Sequence, residues 1–337
     1  MKAYILGSGL AGKAIAEALA ILNIIDQDVQ FESWEFLDRG TTLSSLRPDE
    51  NAVLFLANPS ALHTSKMVEA ENAGFRLIVC EKPTSINQMQ LIQAKQIKAK
   101  VAVLHVYRQL WGPQKLRQLI TQGEFGNIVA IEGKLWQSSK VGGFTLGTAA
   151  PPTPRSWSSD PELIGYYGVS LGLGTHWLDL AHFLIGQELD LNHFSVQDLH
   201  GGENREDTYV NIQLTTRDGT YISGSISNMV HGAANDLSIH ILGEKAAASW
   251  NFLDPDEIIW GKGKGRSVLF RDERHSGSGH PPFHGLGWIE GYIEIIRQIC
   301  RHHKGLDYLP YPTLQESCVI IEKLLTVRPE LQILEAI

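Results

Sequence analysis

The sequence predicts an α/β protein of two parts. An N-terminal, doubly wound parallel sheet is followed by a second domain that carries an antiparallel sheet. Three observations lead there. From residue 1 to about 107, short apolar runs alternate with helical stretches, the pattern of a parallel sheet covered on both faces. After residue 127 the apolar period falls to two. A chain of 337 residues also exceeds the size at which one core stops growing, so two domains are expected, over 1–120 and 121–337.

In the first part, Ala3 to Leu6 form an apolar run that meets Gly7-Ser8-Gly9-Leu10-Ala11-Gly12. Ala14, Ile15, Ala18 and Leu19 then recur at helical spacing, giving strand, tight turn, helix. Further buried strands are expected at Val29 to Trp34, Ala52 to Ala57, Leu77 to Cys80 and Val101 to Val106. Between the third and fourth, Pro59 to Gly74 has proline near its start and glycine at its end, as a helix does. In the second part Ile128, Ala130 and Glu132 alternate weakly. Val210, Ile212 and Leu214, then Ile222, Gly224 and Ile226, alternate cleanly about Asp218-Gly219, which reads as a hairpin with a primed turn. Residues 138 to 155, rich in Gly, Ser, Thr and Pro, read as a long loop, of a length more often a lid or binding loop than a spacer. Helices from about Gly287 to His302 and Thr313 to Leu325 close the chain and are expected to pack on the sheets.

Composition removes several classes of function. Hydrophobic residues make up 43% and charged residues 20%, the balance of a soluble globular chain. A net charge of −8 argues against a nucleic-acid partner, and no apolar run approaches a membrane span. The apolar stretch before Gly7 is too short for a signal peptide. Cys80, Cys300 and Cys318 form no CxxC pair, so neither a disulfide framework nor a zinc knuckle is supported, and a reducing, cytoplasmic setting is expected. Neither His302-His303 nor the set His275, His280 and His284 has a plausible ligand spacing, so no metal is assigned.

The glycine turn carries the first chemistry. Gly7 permits the tight turn, Gly9 lets backbone approach a pyrophosphate, and Gly12 lets helix pack on strand; the helix start supplies amides and a positive dipole. Glu32, 20 residues after Gly12, is the expected acceptor for the ribose hydroxyls, with Glu35 as the alternative. A carboxylate there repels a 2′-phosphate, and neither Ser33 nor Trp34 supplies a cation for one, so NAD is expected ahead of NADP.

Beyond that turn, Leu54-Phe55-Leu56-Ala57-Asn58-Pro59, His63 and Cys80-Glu81-Lys82-Pro83 occur in order. They are followed by Tyr107-Arg108, Gly123-Glu124-Phe125-Gly126-Asn127-Ile128, Gly174-Thr175-His176-Trp177-Leu178-Asp179 and Gly287-Trp288-Ile289-Glu290-Gly291. This series resembles the Gfo/Idh/MocA oxidoreductases, which include inositol and other sugar dehydrogenases. The resemblance implies a Rossmann domain followed by a C-terminal α/β domain whose large open, mainly antiparallel sheet often makes oligomer contacts, hence a homodimer or homotetramer. It implies hydride transfer between a nicotinamide and a hydroxyl or keto carbon of a sugar, cyclitol or related polyol. It places Lys82 beside the nicotinamide and the substrate oxygen, and His176 on the facing segment. An ammonium can stabilise the oxygen's developing charge, and an imidazole can shuttle its proton.

Around them Glu81 reads as a positioning residue and Pro83 as fixing the turn, with a cis bond considered at Lys82-Pro83. Asn58, Pro59 and His63 fall near the cofactor. Tyr107, Arg108 and Tyr167 are candidate substrate ligands, as is Asp179, which equally can orient His176 or cap a neighbouring segment. One departure stands out: the family has an aspartate four residues before the histidine, and here that position is Gly172. Its loss motivates two alternatives. One is a catalytically weak, dinucleotide-binding sensor. The other is a reductase of a less polar substrate, resembling biliverdin or imine reductases, with Trp111, Trp136, Tyr166 and Tyr167 lining the pocket.

Overall fold

In the computed structural model the chain forms two units, Met1–Leu110 with Glu273–Glu322, and Trp111–Asp272 with Lys323–Ile337. The structure describes residues 1–38, 40–139, 163, 168–197, 207–272 and 280–326. Most of the expected loop at 138–155 lies outside these residues, as do Tyr166, Tyr167 and His275.

The first unit runs β1 (Lys2–Leu6), α1 (Leu10–Ile25), β2 (Ser33–Leu37), β3 (Val53–Leu56), α2 (His63–Asn72), β4 (Leu77–Cys80), α3 (Gln88–Ala94) and β5 (Lys100–Val103). All four pairings are parallel, in the order β2-β1-β3-β4-β5. The order reverses at β1, so the crevice at the carboxyl ends of β1 and β3 is the topological switch point where ligands collect in such sheets. Every residue of β3 and β4 is buried, as expected of strands covered on both faces.

The second strand departs from its expected position at 29–34. Val29 and Phe31 are buried in the segment leading to β2, which is why they imitate a strand, but pairing with β1 begins at Lys2↔Ser33 and ends at Leu6↔Leu37.

The chain returns to this unit through α6 (Trp288–His303) and most of α7 (Leu314–Leu325). On α6, Ile289, Ile293, Ile296 and Cys300 form a buried stripe at helical spacing. Burying each isoleucine stabilises the unit by roughly 1.5–3 kcal/mol. Asp26, at the end of α1, ties down the other side by accepting from Arg297 at 2.6 Å and Arg301 at 3.2 Å. These contacts divide the chain differently from a single cut near residue 120.

The second unit holds α4 (Trp111–Thr121), β6 (Ile128–Trp136), α5 (Thr175–Ile185), β7 (Leu189–Gln197), β8 (Tyr209–Thr216) and β9 (Tyr221–Ser227). It continues with β10 (Asp236–Gly243), β11 (Ala247–Asn251), β12 (Glu257–Lys262) and β13 (Gly265–Phe270). They make an eight-stranded sheet, β13-β12-β11-β10-β6-β9-β8-β7, antiparallel except for β6 against β9. Val210, Ile212, Leu214, Ile222 and Ile226 are buried and alternate with more exposed residues. The β8–β9 hairpin forms, but without a primed turn: of Asp218 and Gly219 only the glycine has positive φ, +89°. The Gly219 amide donates to Thr216 O and the Thr216 amide to Thr220 O, so the loop is longer than a two-residue primed turn.

Candidate active site

The glycine turn sits at the switch point, and its three glycines differ in what a side chain would meet. Gly7 has φ +120°, and a Cβ there would lie 2.3 Å from Ala57 O, so the turn after β1 is pressed against the end of β3. At Gly12 a Cβ would lie 1.8 Å from Gly7 O, which seats α1 on the turn. At Gly9 it would meet nothing within 4 Å. Gly9 is also the N-cap of α1, with no side-chain cap and no acid in the first turn, so the helix start turns uncapped amides toward open space. Across the crevice the buried Asn58 Oδ1 has no hydrogen-bond partner among the described residues.

Glu32 is not at this edge. The parallel register puts it before β2, where its amide donates to Met1 O at 2.9 Å and its exposed carboxylate lies 3.5 Å from the terminal amine of Met1. Five residues of strand, about 16 Å at ~3.3 Å each, separate it from the carboxyl edge. The acid that follows β2 at that edge is Asp38. Sequence reasoning missed it because the strand was placed four residues early. The signal is the run Glu32 to Asp38, in which spacing alone has to choose among three acids, Glu32, Glu35 and Asp38. Glu35 lies within β2 and pairs with Lys2 at 3.3 Å.

At the carboxyl end of β4 lie Glu81, Lys82 and Pro83, with the Lys82-Pro83 bond cis. Lys82 is partly buried. Burial pushes its ammonium below the ordinary lysine value, and the Glu81 carboxylate works in the opposite direction. Glu81 is itself buried, which pushes its pKa up against the opposing effects of Lys82 and two hydrogen bonds. Its Oε1 accepts from the Tyr292 hydroxyl and its Oε2 from the Lys82 amide at 3.3 Å. Glu81 is thus a carboxylate clamped between α6 and the lysine's own backbone.

His63 at the start of α2 joins the two turns that border the crevice. Its Nδ1 is 2.7 Å from Pro83 O and its Nε2 is 2.8 Å from Asn58 O. Burial holds its pKa below the ordinary value, and a neutral ring donates to only one of the two carbonyls at a time. Thr64 adds a second tie, donating to Thr84 O at 2.8 Å.

Tyr107 and Arg108 follow β5 and are both buried. The Arg108 guanidinium contacts both carboxylate oxygens of Glu316 on α7, at 3.4 and 2.8 Å. The residue expected to meet an anionic substrate thus already has an internal carboxylate partner. His105, just before them, is buried with Nε2 3.2 Å from Ser317 Oγ, and burial with the charges of Arg108 and Lys82 keeps it well below its ordinary pKa.

In the second unit, α5 presents buried His176 and Asp179, one helical turn apart. Trp177 anchors the helix: it is fully buried, and a Cβ at Gly133 or Gly224 would lie 2.8 or 2.6 Å from its ring, so these two glycines on β6 and β9 make its seat. Before α5 the backbone forms a π-helical turn over Ser170–Gly174 that contains Gly172. Asp207 caps this segment, accepting from the amides of Val169 at 2.6 Å and Ser170 at 2.8 Å and from the Ser170 hydroxyl. A Cβ at Gly172 would meet nothing within 4 Å, so the glycine is not required by packing. Among the described residues, no three His, Cys, Asp or Glu are grouped to hold a metal ion, and no helix is long and apolar enough to cross a membrane.

Comparison with known proteins supports this architecture. Residues 114–249 match the GFO/IDH/MocA C-terminal domain. Oxidoreductase P35 of Formosa agariphila is 23% identical over 236 residues, 67% of each chain. Among solved structures, an inositol dehydrogenase homolog complexed with NAD+ from Azotobacter vinelandii matches 98% of this chain and 95% of its own, with a TM-score of 0.80 at 18% identity. Levoglucosan dehydrogenase in complex with NADH matches 97% of this chain and 96% of its own, with a TM-score of 0.81 at 20% identity.

Proposed function

We propose, from the match of residues 114–249 to the GFO/IDH/MocA C-terminal domain, that this chain is an NAD-dependent oxidoreductase. It would move hydride between the nicotinamide and a hydroxyl or keto carbon of a sugar, cyclitol or related polyol. The observation that carries the reading is that the uncapped glycine turn after β1 and Lys82 after β4 lie at the same carboxyl edge of one parallel sheet. Binding of NAD+ or NADH by the inositol dehydrogenase homolog and by levoglucosan dehydrogenase supports the cofactor.

The first unit's residues fit the cofactor. Open backbone at Gly9, the first-turn amides of α1 and the buried Asn58 Oδ1 suit an anionic pyrophosphate and polar ring substituents. When bound, the nicotinamide accepts or gives up hydride. Lys82 then donates to the substrate oxygen and stabilises the charge that grows on it. His176 is assigned the hydroxyl proton, as imidazole suits transfer near neutral pH.

Asp38 takes the ribose role first given to Glu32. Asp38→Asn should raise the Kd for NADH about tenfold or more, the worth of a charge-assisted hydrogen bond, while Glu32→Gln should leave it unchanged. Fluorescence titration with NADH and NADPH checks both. Tighter binding of NADPH than of NADH by the wild-type protein would reverse the cofactor assignment, with Arg39 the neighbouring cation in the sequence.

Gly172 gives the second reading its footing, since a sensor or a less polar substrate would not need the missing carboxylate. The open space at this position means that Gly172→Asp should fold with an unchanged Tm. A polyol panel with NAD+ decides between them. Turnover by the wild-type chain removes the sensor reading, and turnover gained only by Gly172→Asp supports it. Assembly as a homodimer or homotetramer through the second unit's sheet belongs to the same proposal. It rests on the exposed Val268 and Phe270 of edge strand β13, and light scattering tests it.

A further inference from the structure

Building on the role proposed for Lys82, we propose that Tyr292 is a positioning residue for that lysine. Its buried hydroxyl, brought by α6, donates to Glu81, favours the charged form of that carboxylate beside Lys82, and so sets how firmly the ammonium holds its proton. The Tyr292 hydroxyl donates to Glu81 Oε1, while the Lys82 amide occupies Oε2. The phenol has little freedom. It is 4% exposed, and the Trp288 ring meets it edge-on at 5.1 Å and 80°. One residue earlier, a Cβ at Gly291 would lie 2.3 Å from Val106 O, so the glycine lets α6 come close enough to deliver the hydroxyl.

His63 on α2 and His105 after β5 are both held below their ordinary pKa by burial, and Arg108 after β5 is a cation. The Tyr292 phenol, pushed well up by burial and then by Glu81, stays protonated and remains a donor; Tyr107 adds to the same effect. Glu81 is a carboxylate that opposes burial at Lys82, and the Tyr292 hydroxyl is one of the groups that favour its charged form against its own burial. Without the hydroxyl, Glu81 takes up a proton more readily, and the smaller share of charged Glu81 lets Lys82 release its own proton at lower pH.

The test measures the titration of Lys82 directly in the full-length chain, by trace acetic anhydride labelling across pH with the Lys82 peptide quantified by mass spectrometry. Tyr292→Phe should lower the midpoint, by at most about one pH unit, the full worth of one hydrogen bond to Glu81. Glu81→Gln should lower it by roughly one to three, and adding Tyr292→Phe to Glu81→Gln should move it no further. Site-specific 3-fluorotyrosine at position 292, a stronger donor of nearly the same shape, should raise it. A midpoint unmoved by Tyr292→Phe overturns the proposal. If that variant does not fold, an unmoved or lowered midpoint with 3-fluorotyrosine does so. The readout is independent of turnover. If Lys82→Ala keeps full activity while the midpoint still follows Tyr292, the catalytic reading fails and the coupling stands; the converse result separates them the other way.

Discussion

Lys82→Ala should lower kcat on any polyol that the wild-type chain oxidises by about 10²-fold or more, with the Kd for NADH changed little. The size follows from removing one oriented donor from a site where charge develops on oxygen, which costs about that factor in other enzymes. Retention of the cofactor follows from the layout. The groups suited to the pyrophosphate and ribose are on the turn after β1 and at the end of β2, whereas Lys82 follows β4. Lys82→Arg should rescue poorly, because a planar guanidinium is bulkier and holds its proton too firmly to give it up. Steady-state kinetics with NADH titration by fluorescence decides the matter, and unchanged kcat in Lys82→Ala would remove the lysine from the mechanism.

The burial of Lys82 also predicts the direction of a pH dependence in stability. Its folded-state pKa lies below the ordinary ammonium value, so the buried ammonium costs stability where it is charged, at low pH. That cost starts to fall as pH reaches the depressed pKa and is gone only above the ordinary lysine value. Lys82→Met should therefore stabilise the first unit at neutral pH while abolishing turnover, the pairing expected where a strained group serves chemistry.

Much of the first unit was legible because its signals are local. Gly7, Gly9 and Gly12 announce a turn at the end of an apolar run, and Leu77 to Cys80 is too short and too apolar to be anything but a buried strand. The cis bond at Lys82-Pro83 and the two late helices are of the same kind. What escaped depends on register and on long-range return. Glu32 and Asp38 differ by six positions in the sequence, yet they sit at opposite ends of one strand, and only pairing with β1 reveals which end is which. Tyr292, Glu316 and Ser317 come from segments more than 200 residues after Glu81 and Lys82, and no periodicity in α6 or α7 marks them as neighbours of Glu81, Arg108 and His105. In the second unit the resemblance singled out His176, but the seat of Trp177 between Gly133 and Gly224 appears only once β6 and β9 pair.

The glycine turn provides the sharpest separation of folding from binding. Gly7→Ala and Gly9→Val change the same turn and should have opposite signatures. At Gly7 an alanine must hold φ +120° and place Cβ 2.3 Å from Ala57 O, an atom of the backbone that cannot swing aside. Strain of roughly 1–3 kcal/mol is expected, and with it a Tm lowered by about 5 °C before any ligand is added. At Gly9 a valine enters space with nothing within 4 Å, so the apo protein should melt within a degree or so of wild type. The same branched side chain would stand over the uncapped amides of α1, where a pyrophosphate must come into hydrogen-bond range. Losing two such charge-assisted bonds corresponds to at least about a 10²-fold rise in the Kd for NADH. Differential scanning fluorimetry with and without NADH measures both at once. Gly9→Val should lose the shift caused by NADH while keeping the apo Tm, and Gly7→Ala should lower the apo Tm. A Gly9→Val protein that still binds NADH with wild-type affinity would place the dinucleotide elsewhere and remove the ground for reading this sheet edge as the active site.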